Sequence, residues 1–236
     1  AISRPFSISS ALQLYQQQGL IQLTIQPQPQ GQLTSHLRDY AAASSDNINA
    51  RQASQASPVR GPAPVVHLSA AQGDFVLQDQ KQPLLLLAAG SGITPIHAML
   101  SSITRLTQPT LLIYSYRGAA QYLFAQSWQA LAQRFPLLQL MLIDTERRPR
   151  LELAEMSGWF TKYPHSSIYL CGPQSFSQQW VSQLQQLNVP KAQIHQESFG
   201  VGSSALSTTT ADLAKQNGSL IHIQQGTRQI SIQSSR

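Results

Sequence analysis

The sequence predicts an α/β protein: an open five-stranded parallel sheet with helices on both faces, preceded by an antiparallel β piece and followed by a hairpin. Three patterns carry that expectation. LLLLA at 84–88 is a continuous apolar run, as in a strand buried on both faces. From there to 199, strand and helix patterns alternate five times. Before and after, segments alternate apolar and polar residues with a period of two.

RPFSISS opens the chain after a short lead, and LIQLTIQ at 20–26 reads as a half-buried antiparallel strand. PQPQGQ at 27–32 is a turn, and LTSHLRDY at 33–40 starts a short helix capped by Thr34 or Ser35. Residues 41–64 are Ala/Ser/Gln/Pro-rich without a period, a long mobile loop. VVHLS at 65–69 and DFVLQ at 74–78 are short strands around a Gly turn. In the α/β part the strands fall at 84–88, 111–116, 137–143, 166–172 and 192–199. Between them lie helices at 95–105, with Pro95 in first position, at 121–135, at LELAEM and at 173–187. Residues 200–217 are a Gly/Ser/Thr/Ala linker, and 219–235 form two strands around Gln225-Gly226.

Composition narrows the function classes. Of 236 residues 42% are hydrophobic, enough for ordinary cores, and 11% are charged, with 34 glutamines taking the place of surface charge. The net charge is +6, but the basic residues are scattered apart from Arg147, Arg148 and Arg150. No basic stripe interleaves with aromatics, so no nucleic acid is expected as a partner. A single cysteine leaves no disulfide and no cysteine cage for a metal within these residues. No apolar run has the length of a transmembrane segment. No signal peptide opens the chain, and a cytoplasmic location is expected. A start at Ala1, without Met and inside a strand pattern, is expected of a piece of a longer protein.

Three segments can carry chemistry. In LLLLAAGSGITPIHAML, Gly90 and Gly92 sit where a strand turns into a helix. Lacking Cβ, they let backbone N–H groups approach a pyrophosphate at the helix N-terminus, and Thr94 can donate its hydroxyl. The same pattern also serves a tight turn without ligand. It is not the three-glycine dinucleotide fingerprint, and Arg117, not an acid, ends the second strand. In YLCGPQSF, Cys171 ends a strand on the same rim as Gly90 and Gly92, either beside a ligand or as a small buried hydrophobe. In HQESFG, Glu197 reaches that rim or is a solvated carboxylate. The six histidines show no metal-ligand spacing and read as surface or packing residues, so no metal site is expected.

RPFSISS, GQLTSHL, GDFVL, AAGSGITPIHAML, CGPQSF and ESFG occur in one order at characteristic separations. Over residues 3–200 the chain resembles the ferredoxin–NADP reductase superfamily, in particular flavohaemoglobin reductase modules and oxygenase or desaturase reductases. The resemblance implies an antiparallel β-barrel flavin domain, its first strands missing, plus an α/β five-stranded parallel-sheet nucleotide domain. The implied boundaries are 1–80 for the partial flavin domain, with the loop at 41–64, and 81–200 for the NAD(P) domain. Residues 201–218 would be a linker.

It also implies roles. Arg4 would meet the flavin phosphates, Phe6 would pack on the flavin ring, where the usual residue is Tyr, and Ser7 would hydrogen-bond near flavin N5. Thr34 and Ser35 would meet the FAD pyrophosphate. Gly90, Ser91, Gly92, Thr94 and Pro95 would form the nicotinamide-dinucleotide loop, with Cys171, Gly172 and Pro173 as the nicotinamide-side turn. Glu197 and Phe199 would close over the flavin. Ser7, Cys171 and Glu197 are the implied catalytic residues. FAD is the expected cofactor, with FMN not separated from it, and NADPH or NADH the expected substrate. From the residues themselves an NADPH preference is expected, with Arg117 ending the second parallel strand and Arg147, Arg148 and Arg150 following the third and able to converge on a 2′-phosphate, although the arginines equally suit a solvated basic loop.

The implied function is transfer of electrons from NAD(P)H through flavin to an iron–sulfur carrier that serves an oxygenase or desaturase. The other expectation is a non-catalytic nucleotide-binding or docking fragment without stable flavin. The hairpin at 219–236 resembles the start of a plant-type ferredoxin domain, whose 2Fe–2S cluster would lie beyond Arg236. The partner is then that domain or a separate iron–sulfur protein. The competing expectation is that the hairpin packs back onto the reductase.

Overall fold

The computed structural model describes residues 5–26, 31–35, 37, 71–78, 80–199, 220–225 and 228–233. In chain order these hold α1 (Leu12–Gln18), β1 (Leu20–Thr24), β2 (Leu84–Ala89), α2 (Ile93–Ser102), β3 (Thr110–Tyr116), α3 (Ala125–Arg134), β4 (Leu138–Asp144), α4 (Ser157–Lys162), β5 (Ser167–Pro173), α5 (Gln174–Gln186), β6 (Ile194–Phe199), β7 (Leu220–Gln225) and β8 (Arg228–Gln233).

β2 is the centre of the α/β domain. Successive side chains of a strand point to opposite faces. Leu84, Leu86 and Ala88 face one core, with Ile93, Ile96, Tyr114, Trp128 and Cys171. Leu85 and Leu87 face the other, with Ile113, Ile168, Leu170, Phe176 and Trp180. Both faces are covered, which is why the strand carries no polar residue. All five strands are parallel, in the order β4-β3-β2-β5-β6. The chain first winds outward from β2 to β4, then returns to β2's other side with β5. The order therefore reverses between β2 and β5, and the crevice beyond their carboxyl ends is where open sheets of this kind bind ligands.

Several expected boundaries move. Residues Gly90–Gly92 form a 3-10 turn, and α2 begins at Ile93, so Pro95 is its third residue and the helix stops at Ser102. Pro95 remains free of cost there, because first-turn N–H groups have no helical partner. Tyr122 and Phe124 precede α3 rather than belonging to it, and Phe124 adopts a left-handed φ of 60°. LELAEM becomes a 3-10 turn, Leu153–Met156, closed by a reciprocal capping box between Glu152 and Glu155. β5 runs through Pro173, past the expected end at Gly172.

DFVLQ at 74–78 is not a strand. Its Gln78 N–H donates to the Tyr169 hydroxyl at 3.0 Å, and Phe75 meets the Tyr169 ring edge-on at 5.9 Å. Phe75 and Leu77 pack against the core that includes Tyr169, and among the described residues the segment pairs with no strand. Residues 32–35 and 37 are helical, so Thr34 and Ser35 lie inside the turn rather than capping it. The expected strand at 65–69, the loop at 41–64 and the linker at 201–218 lie outside the described residues.

α1 was not expected. It has no capping side chain and no buried residue, and it ends at Gly19 with φ 67°. It is held from outside: the Leu12 N–H donates to Ser102 Oγ at 2.9 Å and Gln13 Nε2 to the Ser102 carbonyl at 2.6 Å. β1 was expected in an antiparallel sheet. It makes one antiparallel bridge, Ile8 to Leu23, and pairs in parallel with β7, whose partner β8 closes the expected hairpin. Among the described residues, β1 and that bridge are the only β structure before β2.

Candidate functional site

At the β2–β5 crossover the Gly loop presses onto strand β5. A Cβ built on Gly92 would lie 2.3 Å from the Cys171 carbonyl oxygen and 2.6 Å from the Gly172 Cα. Gly172 is equally confined, since its Cβ would meet the Phe176 ring at 2.8 Å and the Ala89 side chain at 3.1 Å. These glycines are required by packing. Gly90 is required by backbone conformation: its φ is 54° and nothing lies within 4 Å of its Cβ position, so its side of the loop is open to a ligand. Thr94 is buried and donates its hydroxyl to the Ser91 carbonyl at 2.9 Å. In this arrangement it braces the loop.

The three implied catalytic residues come together on this rim. The strand register sets Ala88 beside Cys171, and Cys171 beside Glu197. Ser7, 190 residues away in sequence, donates its hydroxyl to Glu197 Oε2 at 3.2 Å. Burial raises the Glu197 pKa, and the Ser7 hydrogen bond opposes that shift. Burial, then the nearby Glu197 carboxylate, pushes the Cys171 thiol far up, so it stays protonated. Cys171 is fully buried. A buried thiol held neutral is not poised as a nucleophile.

Other expected site residues are distributed as follows. Gly172 and Pro173 pair with Ser198 and Phe199 at the ends of β5 and β6. Phe6 is half-buried, and Thr34 Oγ1 donates to the Gly31 carbonyl at 3.3 Å. Ser35 donates its N–H to that same carbonyl at 2.8 Å. Arg4 lies outside the described residues. The arginines follow β3 and β4, each facing its own carboxylate. Arg117 meets Glu146 at 3.6 Å, Arg147 meets Asp144 at 3.4 Å, and Arg148 meets Glu155 at 2.6 Å. Asp144 in turn accepts the Gly118 N–H at 2.9 Å and the Glu146 N–H at 3.1 Å, and these bonds hold its pKa below the ordinary value.

His97 is a packing residue, as expected, with partners that the sequence does not reveal. His97, on α2, is buried, and its Nδ1 lies 2.7 Å from the Ser9 carbonyl and its Nε2 2.7 Å from Ser127 Oγ. A lone histidine on an apolar helix face gives no signal of such partners, which come from segments 88 and 30 residues away.

Comparison with known proteins agrees with this geometry. Residues 86–181 match the family model described as the oxidoreductase NAD-binding domain. The chain is 28% identical over 207 residues to an NADPH oxidoreductase of Mycobacterium tuberculosis, covering 86% of this chain and 49% of that protein. It is 33% identical over 141 residues to a flavohemoprotein of Vibrio cholerae, 57% of this chain and 35% of that one. It is 32% identical over 136 residues to the ferredoxin reductase component of a 3-ketosteroid-9-alpha-monooxygenase of M. tuberculosis, 57% of this chain and 38% of that one. The chain thus spans half or less of the length of these relatives. Residues 86–181 are similar to an oxidoreductase NAD-binding domain, and the chain is similar to part of flavohemoproteins and of a ferredoxin reductase component.

Two outcomes follow from the site's packing. Gly92→Ala drives a methyl group into the β5 backbone, so the loop must shift. It should lower the unfolding midpoint in urea and weaken nicotinamide nucleotide binding by about tenfold or more, since a small misplacement of a positioning loop is costly; calorimetric titration reads the binding. The raised Glu197 pKa means that the native state favours the protonated carboxyl. That contribution is complete below the unfolded pKa, about 4.3, and is lost as pH rises through the higher folded value. Glu197→Gln should therefore gain thermal stability relative to the parent as pH climbs above about 5, and a melting series from acid to neutral pH checks it.

Proposed function

We propose that this chain is the nucleotide-binding part of an NAD(P)H-dependent flavin oxidoreductase whose electrons pass to an iron–sulfur carrier serving an oxygenase or desaturase. The observation that carries it is the meeting of Ser7, Cys171 and Glu197 at the sheet's crossover, beside a loop whose Gly90 side is open. Ser7 comes from the segment before β1 and Cys171 and Glu197 from the α/β sheet, as a junction between a flavin segment and a nucleotide segment requires. The iron–sulfur step rests on likeness to the monooxygenase reductase component named above.

The residues suit both groups. The Gly90 N–H side and the start of α2 would receive a pyrophosphate, since helix N-termini stabilise anions. On the flavin side, Arg4, Phe6, Ser7, Thr34, Ser35 and Phe199 would hold FAD. A flavin, when bound, accepts hydride from reduced nicotinamide and releases electrons singly. The chain supplies positioning and proton control. Cys171, neutral and fully buried, forms a floor beside the nicotinamide position that no charge disturbs. Glu197 holds a proton more readily than an ordinary carboxyl, and Ser7 fixes its orientation.

The full-length protein is expected to purify with flavin absorbance that bleaches when reduced nicotinamide nucleotide is added without oxygen. A colourless protein that cannot be reconstituted would sink the proposal. Within it, Cys171→Ala should slow flavin reduction at saturating nucleotide by about tenfold while changing the nucleotide dissociation constant little. Stopped-flow reduction separates the two effects.

NADPH is the proposed substrate. Arg117 and Arg148 stand after adjacent strands, and the M. tuberculosis oxidoreductase that resembles most of this chain is an NADPH enzyme. A 2′-phosphate would take the guanidinium of Arg117 from Glu146, and that pair is exposed and weak. The ratio of kcat/KM for NADPH over NADH should exceed one and should fall by about tenfold in Arg117→Ala, the scale of one charge-assisted hydrogen bond. Equal use of both nucleotides by the parent would refute the preference.

A further inference from the structure

We propose that His97 is a positioning residue: it holds the segment bearing Ser7 in register with Glu197, an inference that rests on the flavin oxidoreductase reading above. His97 sits five residues after Gly92, the end of the Gly loop, on α2. The Ser9 carbonyl can only accept, so the Nδ1 that lies 2.7 Å from it carries the proton. Nε2 is then the acceptor, and the Ser127 hydroxyl donates to it at 2.7 Å. Both ring nitrogens are satisfied in one neutral tautomer, and burial disfavours the charged form.

The ring itself is clamped. Phe124 stacks on it at 4.0 Å with an interplanar angle of 11°, and Trp128 meets it edge-on at 5.3 Å. Phe124 holds its left-handed φ of 60° at this spot, a conformation that a bulky residue adopts only when its surroundings impose it. Trp128 is anchored by donating its Nε1–H to the Leu123 carbonyl at 2.8 Å. The imidazole is thus set by α3 and its entry turn, and it presents one N–H to a segment 88 residues upstream.

On that segment Ser9 is fully buried and fully engaged. Its N–H donates to the Gln22 carbonyl at 2.8 Å, and its hydroxyl lies 2.9 Å from Thr24 Oγ1, both on β1. Its carbonyl is the one group that turns to the nucleotide domain. Two residues upstream, Ser7 reaches Glu197. Among the described residues, these are the two side-chain hydrogen bonds that join residues 7–9 to the nucleotide domain. Two residues span no more than about 7 Å of extended chain, so fixing the Ser9 carbonyl limits where the Ser7 hydroxyl can be. Without His97 the Ser7–Glu197 contact, 3.2 Å long and partly open to water, would be the one side-chain hydrogen bond left between residues 7–9 and the nucleotide domain, and the next anchors to that domain are those of Leu12 and Gln13 to Ser102.

The test uses the full-length protein with His97→Leu, which keeps the packing against Phe124 and Trp128 but removes the donor, and His97→Asn, whose side-chain N–H can take the place of Nδ1–H. Ser127→Ala, which removes the nearer partner of Nε2 and leaves Ser101 Oγ at 3.4 Å, serves if the leucine variant does not fold. Amide hydrogen exchange over residues 5–10 is read without nucleotide, and flavin reduction is read at saturating nucleotide. His97→Leu should speed exchange in that segment and slow reduction by about tenfold with an unchanged nucleotide dissociation constant, and His97→Asn should restore both to within about threefold of the parent. Unchanged exchange in the folded leucine variant overturns the proposal, as does faster exchange with a parental reduction rate. An asparagine variant no better than leucine also overturns it. A parent that exchanges slowly over residues 5–10 yet never reduces flavin overturns the oxidoreductase reading instead, and the exchange comparison then decides the role of His97 by itself.

Discussion

The fit of Gly92 against the backbone of β5 is the constraint on which the rest of the site depends. With no room for even a methyl group, the loop that ends β2 lies directly against the strand that follows it in the sheet. That contact brings Gly90, with its open face, beside the ends of β5 and β6, where Cys171 and Glu197 are paired in register. The leucine-rich interior of β2 supplies the stiffness: it is packed on both faces and has no polar group to solvate, so the loop at its end has a fixed base.

The electrostatics of the crevice divide into two zones. Around Cys171 and Glu197, burial suppresses ionisation: the thiol is kept neutral and the carboxyl holds its proton more tightly. Along the ends of β3 and β4, exposed arginines face exposed or hydrogen-bonded carboxylates, and the pairs are soft enough to be exchanged for a ligand anion. An uncharged group such as a nicotinamide or flavin ring suits the first zone. A phosphate suits the second. The two lie on one rim because parallel strands present all their carboxyl ends to the same side.

Glycines, buried strands and their order were legible in the sequence because they follow local rules. A two-sided buried strand must be continuously apolar, and a strand that turns sharply into a helix needs residues without Cβ. The five strands and the convergence of Cys171 and Glu197 on one rim follow from such rules and from the alternation of strand and helix. The antiparallel pairing of LIQLTIQ and the strand at DFVLQ did not, because period-two patterning marks which face is buried but not which neighbour covers it. β1 found a parallel partner 200 residues away, and DFVLQ found a tyrosine hydroxyl and a ring edge.

By itself, then, the sequence determined that this chain builds a parallel α/β nucleotide domain with a Gly-rich loop at its rim, since these depend on the periodicity and steric freedom of neighbouring residues. Only the tertiary structure decided what each rim residue does. Thr94 turned out to brace the loop, Gly92 to serve packing and Cys171 to be a neutral wall, because those roles depend on atoms brought in from other strands. Ser7 and Glu197 meet across 190 residues, and His97 finds the Ser9 carbonyl across 88. Contacts at such separations are set by how the sheet winds and which segment lies over its edge, and no local pattern encodes them.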